Sequence, residues 1–81
     1  MKKYEFTGET KQINIINRTV TLHRIKASVT FGDIKSGDIG GWIEREENLS
    51  HDGDAWVCDD AWVYGNAWVY GNAREIGRAH V

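Results

Sequence analysis

From Ala55 the chain repeats every six residues: AWVCDD, AWVYGN, AWVYGN, AREIGR and then AHV. Alanine recurs at 55, 61, 67, 73 and 79, valine at 57, 63, 69 and 81, and tryptophan at 56, 62 and 68. A period of six is not a helical period. Within each unit small and aliphatic residues alternate with aromatic ones, which is the two-residue period of a strand. Gly-Asn then supplies residues that tolerate positive φ, as a sharp corner demands. Each unit therefore predicts a strand of about four residues and a two-residue corner, one side of a polygonal coil. Ala55, Val57, Ala61, Val63, Ala67 and Val69 would point inward, with Trp and Tyr outward. The phase extends backward: Gly53-Asp54 takes the corner slot, and Leu49 and Ile43 stand six and twelve residues before Ala55.

The run Val63-Tyr64-Gly65-Asn66-Ala67 is similar to the hexapeptide repeat of left-handed parallel β-helices, where three hexads, about 18 residues, close one triangular coil. That resemblance implies an all-β chain, a short left-handed parallel β-helix with an N-terminal β-hairpin cap. The longer stretch GDIGGWIEREENLSHDGDAWV, with the AWVYGN units after it, resembles a family of small phage and prophage proteins. Those join a short N-terminal β cap to YGNA-type repeats, and the likeness runs over residues 3–74. It implies a phage protein in the cytoplasm of a bacterial host. It names no chemistry, because one fold serves many functions.

Upstream of the repeat, KQINII and TVTLHRIKA are β-rich runs joined at Asn17-Arg18 and predict a hairpin. Tyr4 and Phe6 suggest a first strand beside it. Val20 and Leu22 would face the core, with Thr19, Thr21 and His23 outward. Gly37, Gly40 and Gly41 punctuate a tight connection into Trp42-Ile43. Residues 1–42 are thus expected to cap the coil of 43–81, because an uncapped first coil presents raw strand edges. The last residues, IGRAHV, are what a common short-read sequencing adapter encodes in this frame. Residues 76–81 are therefore expected to be foreign, and the natural protein, of metagenomic origin, to carry further coils.

Eighty-one residues permit one small domain with a thin core. No apolar run approaches the roughly 20 residues of a membrane span, and no secretory signal opens the chain. The single cysteine, Cys58, excludes an internal disulfide and a cysteine-based zinc site, and Asp59 and Asp60 beside it would raise its pKa. Hexapeptide β-helices are best known as acyltransferases, which use a histidine base in a trimer. Here His51 lies on a corner and His23 on the hairpin, both expected to face solvent without a Ser, Asp or Asn partner. Asp52, Asp54, Asp59 and Asp60 fall on two different corners and complete no loop motif for calcium. The chain is accordingly read as a non-enzyme, with no catalytic residue, metal site or cofactor.

The aromatics are the candidate binding and interface residues. Trp56, Trp62 and Trp68 hold one hexad position, Tyr64 and Tyr70 repeat two residues later, and Trp42 stands at the entry to the coil. Flat apolar groups are costly to leave in water and usually mark an interface. Three uses compete: contact with the cap or another subunit, a stacking platform for a base or sugar such as a nucleotide-like ligand, and a patch for a host protein. Charge is unevenly spread: residues 1–26 sum to +4, and residues 44–60, with seven acids against Arg45, to −6. No basic patch interleaves with the aromatics, which disfavours nucleic acid as a partner. The expected function is that of a phage-type binding protein, antagonising a bacterial defence system by blocking a host protein or sequestering a signal molecule. A self-assembling structural or virion accessory module is the alternative, followed by an acyltransferase-related fragment. The flat ring of Val and Ala on the last coil predicts a homo-oligomer, a dimer joined by the C-terminal coils. Glu75 in a valine slot predicts an irregular final hexad.

Overall fold

Alternation of β-branched and polar residues builds the first element. In the computed structural model, which describes residues 2–76 and 78–79, strands β1 (Tyr4–Ile15) and β2 (Arg18–Ala27) pair antiparallel from Ile15↔Arg18 to Tyr4↔Ala27. The turn centres on Ile16-Asn17, with Asn17 at φ 70, a conformation asparagine tolerates. The strand expected separately at Tyr4 and Phe6 is the beginning of β1, continuous across a register shift between Phe6 and Thr10. Val20 and Leu22 are buried, as are Ile25 and Ala27. Those two pairs occupy even and odd positions of one strand, hence opposite faces. The hairpin therefore has two apolar faces in series, and each covers something different.

Strand β3 (Ile39–Ile43) joins hairpin to repeat. One edge pairs antiparallel with β2 (His23↔Ile43), and the other pairs in parallel with β5 (Trp62–Val63). Gly40 and Gly41 make that junction possible. A Cβ on Gly40 would stand 2.6 Å from the Trp56 ring, and one on Gly41 would stand 2.6 Å from the Ala61 carbonyl oxygen and 2.7 Å from Val57 Cγ1.

Three further short strands complete the chain: β4 (Trp56–Val57), β6 (Arg74–Glu75) and β7 (Arg78–Ala79). The result is all-β, with one 3-10 turn at Glu46–Asn48 and no α-helix among the described residues. No helix there is long and apolar enough to cross a membrane. A five-stranded mixed sheet runs β1-β2-β3-β5-β7, and β4 pairs with β6 in a second, parallel sheet. Leu49 and Val69 form a parallel bridge between them in sequence. The chain thus visits three walls in turn and comes back: β3, β5 and β7 on the first, Leu49 and Val69 on the second, β4 and β6 on the third. This arrangement is consistent with a β-helix-like coil. At the corners Gly65 and Gly71 adopt φ 67 and 64, the left-handed conformation that glycine reaches without steric cost.

A strict hexad would return every eighteen residues, as Trp56↔Arg74 does. The first turn is longer: Trp42 meets Trp62, and Leu49 meets Val69, twenty residues on. The two extra residues lie in the corner between Leu49 and Ala55. Ile43 and Leu49 therefore stack on valines, not in the alanine phase that counting back by sixes suggests, and Trp42 becomes the equivalent of Trp62. The last return, Trp62↔Arg78, is shorter by two. Inside the coil, Ile43, Leu49, Ala55, Val57, Ala61, Val63 and Val69 are buried in one cluster, with Ala67 at its margin. Glu75, opposite Val57, is half-buried. On the second wall Asn48 fills the slot that Trp68 fills one coil later, and all its hydrogen-bonding capacity is used. Its Oδ1 accepts from the Glu44 and Arg45 amides, and its Nδ2 donates to the Gly65 and Ala67 carbonyls.

Gly41→Ala should drive a methyl group into a backbone carbonyl that cannot yield. We expect a loss of about 1–3 kcal/mol or more in urea unfolding, against under 1 kcal/mol for Ser36→Ala on the exposed 28–38 loop.

Candidate binding surface

The interior is too narrow for indoles, so every tryptophan of the repeat lies outside the coil and must be covered or left wet. On the first wall, the distal half of the hairpin lies over Trp42, Trp62 and Tyr64. Val20 and Leu22 pack there, flanked by Ile13 and Ile15, and Trp42 retains 3% exposure. Lys11 Nζ stands 4.3 Å from the centre of the Trp42 ring and 5.6 Å from that of Trp62, and the Arg24 guanidinium stands 4.9 Å from Trp42. Arg24 is oriented by Asp60, whose Oδ1 accepts from Nη1 at 3.0 Å. Trp42 Nε1 and Arg24 Nε have no hydrogen-bond partner among the described residues, a cost set against the cation–π contact between them.

On the third wall Trp56 is 2% exposed, with Phe31 edge-on at 5.4 Å and Tyr4 at 6.5 Å. Cys58, the neighbouring outward residue, lines a depression of about 240 Å³ with Ile34, Asp38, Ile39, Trp56 and Asp59. Burial pushes its thiol above the ordinary range; Arg74 opposes that rise and Asp59 adds to it. It is not a thiolate near neutral pH.

The second wall is open. Trp68 is 59% exposed and Tyr70 56%, their rings stacked at 4.3 Å and 25°. Between the 3-10 turn and the Gly65-Asn66 corner lies a depression of about 260 Å³ lined by Arg45, Glu47, Asn48, Gly65, Asn66 and Ala67. Arg45 is held in it, donating to the Gly65 carbonyl at 2.7 Å and to Asn66 Oδ1 at 3.4 Å. Glu47 is exposed and makes no ion pair among the described residues. Of the aromatics singled out in the sequence, the structure brings Trp42, Trp62 and Tyr64 together under the hairpin, places Trp56 under the 28–38 loop, and leaves Trp68 and Tyr70 outside.

The histidines occupy different surroundings from those expected. His51 is partly buried, stacked on Tyr4 at 4.0 Å, and its Nδ1 accepts the Lys3 amide at 3.0 Å. That acceptor role assigns the ring proton to Nε2, which is buried without a hydrogen-bond partner among the described residues and stands 3.9 Å from Glu46 Oε1. His23 stacks on Phe6 at 4.5 Å. Lys3 and Tyr4 complete the junction: Lys3 Nζ donates to the Ala55 carbonyl at 2.7 Å, and Tyr4 Oη to the Leu49 carbonyl at 2.6 Å. Alternation alone offered no sign of this anchor, because it depends on which corner the N-terminal strand meets. Among the described residues no three His, Cys, Asp or Glu side chains converge as a metal site would require.

No family model matches the chain. It is 34% identical over 63 residues to the uncharacterized acetyltransferase YdcK of Escherichia coli (strain K12), a match taking in 73% of this chain and 19% of that protein. The chain thus spans about a fifth of the length of the curated relative it matches. This distant similarity is consistent with a hexapeptide-repeat fold.

Burial lowers the His51 pKa below its ordinary value of 6.5, against the attraction of Glu46. The unfolded chain then takes up the proton first as the pH falls. Stability present above about pH 6.5 should decline toward the lower, folded value, and His51→Gln should flatten that slope in urea melts from pH 7.5 to 5.

Proposed function

We propose that the chain is a non-enzymatic binding module of the left-handed parallel β-helix type, acting by contact through the wall that bears Trp68 and Tyr70. One observation carries this reading: the outward indoles of two walls are covered by the chain's own N-terminal segment, and a stacked aromatic pair on the remaining wall is more than half exposed. Exposed aromatics of this size are typical anchors of interfaces. The parallel returns near eighteen residues support the β-helix type. The resemblance of residues 3–74 to small phage proteins supplies a setting, antagonism of a bacterial defence system by occupying a host protein or holding a signal molecule. A second copy of the chain, giving a homodimer, is the competing occupant of the same wall.

A second reading, a fragment of an acyltransferase, is favoured by the similarity to YdcK, which is named as an acetyltransferase. Against it, the His51 Nδ1 accepts a backbone amide and His23 is stacked on Phe6, so each ring already has a structural role. Titration with acetyl-CoA, with heat release that His51→Gln abolishes, would favour that reading.

A photo-crosslinking residue at position 70 should capture one discrete species in host cells, identified by mass spectrometry. The same residue at Thr21, exposed on the hairpin, should capture none. Equal capture from both positions, or none from position 70, would contradict the open wall as the contact face.

A further inference from the structure

Strand β1 is the outermost strand of the five-stranded sheet: one edge pairs with β2, and the other meets no strand among the described residues. A two-residue loop is closed by a bonded pair, here Ile15 and Arg18, and bonded pairs alternate along an antiparallel ladder. Ile15, Ile13 and Lys11 therefore bond to β2, and the N–H and C=O groups of Asn14, Gln12 and Thr10 point outward. All three of these residues are exposed. Such an edge is a template for another strand unless something guards it.

The N-terminal half of β1 is guarded. A register shift interrupts its ladder between Phe6 and Thr10, with Gly8 at φ 96 inside it. Residues 10–15 contain no proline, no shift and a single charge, Lys11. That charge is turned inward, its ammonium 4.3 Å from the centre of the Trp42 ring. The side chains beside the outward groups, on Thr10, Gln12 and Asn14, are neutral, so charge does not repel a second strand.

This edge is complementary to itself. Turned about a two-fold axis through Gln12, a second β1 runs antiparallel, sets Gln12 opposite Gln12 and Thr10 opposite Asn14, and forms about six backbone hydrogen bonds. No like charges oppose each other in that register, because Lys11 meets Ile13 and Glu9 meets Ile15. Ile13, partly buried in its own chain, gains the aliphatic stem of Lys11 as a neighbour. Neighbouring centres lose bonds: Ile13 as the centre sets Thr10 against the Ile16-Asn17 turn, and Lys11 as the centre sets Asn14 against Gly8 in the shift. The opposite edge of the sheet is β7, two residues long, which is too short to receive β1 in a head-to-tail stack.

We infer that residues 10–15 of β1 pair with the same edge of a second copy, joining two five-stranded sheets into one across a two-fold axis at Gln12. This face uses no residue of the wall that bears Trp68 and Tyr70, so neither reading depends on the other.

Sedimentation equilibrium of the full chain at low salt, over a range of micromolar concentrations, should show a monomer–dimer equilibrium. Gln12→Glu and Gln12→Lys each set two like charges opposite one another across the axis, and each alone should weaken dimerisation about fivefold. An equimolar mixture of the two sets opposite charges face to face and should dimerise at least as well as the unaltered chain. Trp68→Ser should leave the equilibrium unchanged. Gln12 is exposed, so far-ultraviolet circular dichroism should confirm that both variants fold. A chain that stays monomeric throughout overturns the inference. So does a dimer that both Gln12 variants form as well as the unaltered chain, or a loss that mixing does not reverse. Dimerisation abolished by Trp68→Ser and indifferent to Gln12 also overturns it, and assigns self-association to the open wall.

Discussion

The narrowness of the coil governs everything outside it. Seven small or aliphatic side chains, from Ile43 to Val69, fill the interior, and an indole cannot join them without forcing the walls apart. Tryptophan at 42, 56, 62 and 68 must therefore stand outside, where a bare ring exposes much apolar surface to water. The N-terminal segment resolves most of that cost. Its hairpin covers one wall and its 28–38 loop another. Trp68 and Tyr70 lie beyond its reach.

How the cap is fastened follows from the same geometry. Close approach at β3 requires two residues without side chains, and the chain supplies Gly40 and Gly41. Around them the junction is polar. Lys3, 4% exposed, carries its ammonium to the Ala55 and Gly53 carbonyls, with the Phe31 ring at 4.6 Å. Burial draws its pKa down, against the pull of Asp54. Tyr4 and His51 stack beside it and satisfy backbone groups at Leu49 and Lys3. Removing any one of these strands a buried polar partner, so the anchor is expected to loosen as a unit.

The sequence declared its local rules and hid its joints. A period of six with alternation inside it identified the inward alanines and valines, and Gly-Asn identified the corners. Val20 and Leu22 showed the hairpin's buried face. The corner between Leu49 and Ala55 was opaque, because two added residues there look no different from ordinary turn residues. Yet they shift the phase, put Ile43 on Val63 and make Trp42 a partner of Trp62. Which aromatics would be covered was equally hidden: Trp56, Trp62 and Trp68 are identical in the repeat and differ only in what a distant segment places over them. His51 looked like a corner residue until Tyr4 and Lys3 were brought against it.

This chain covers its own indoles on two walls and leaves the third open. Hydroxyl-radical footprinting, with oxidation of each tryptophan quantified by mass spectrometry, tests it residue by residue. Rapid oxidation is expected at Trp68, slower oxidation at Trp62, and protection of Trp42 and Trp56. Comparable rates at all four, or a Trp56 that oxidises as fast as Trp68, would contradict it.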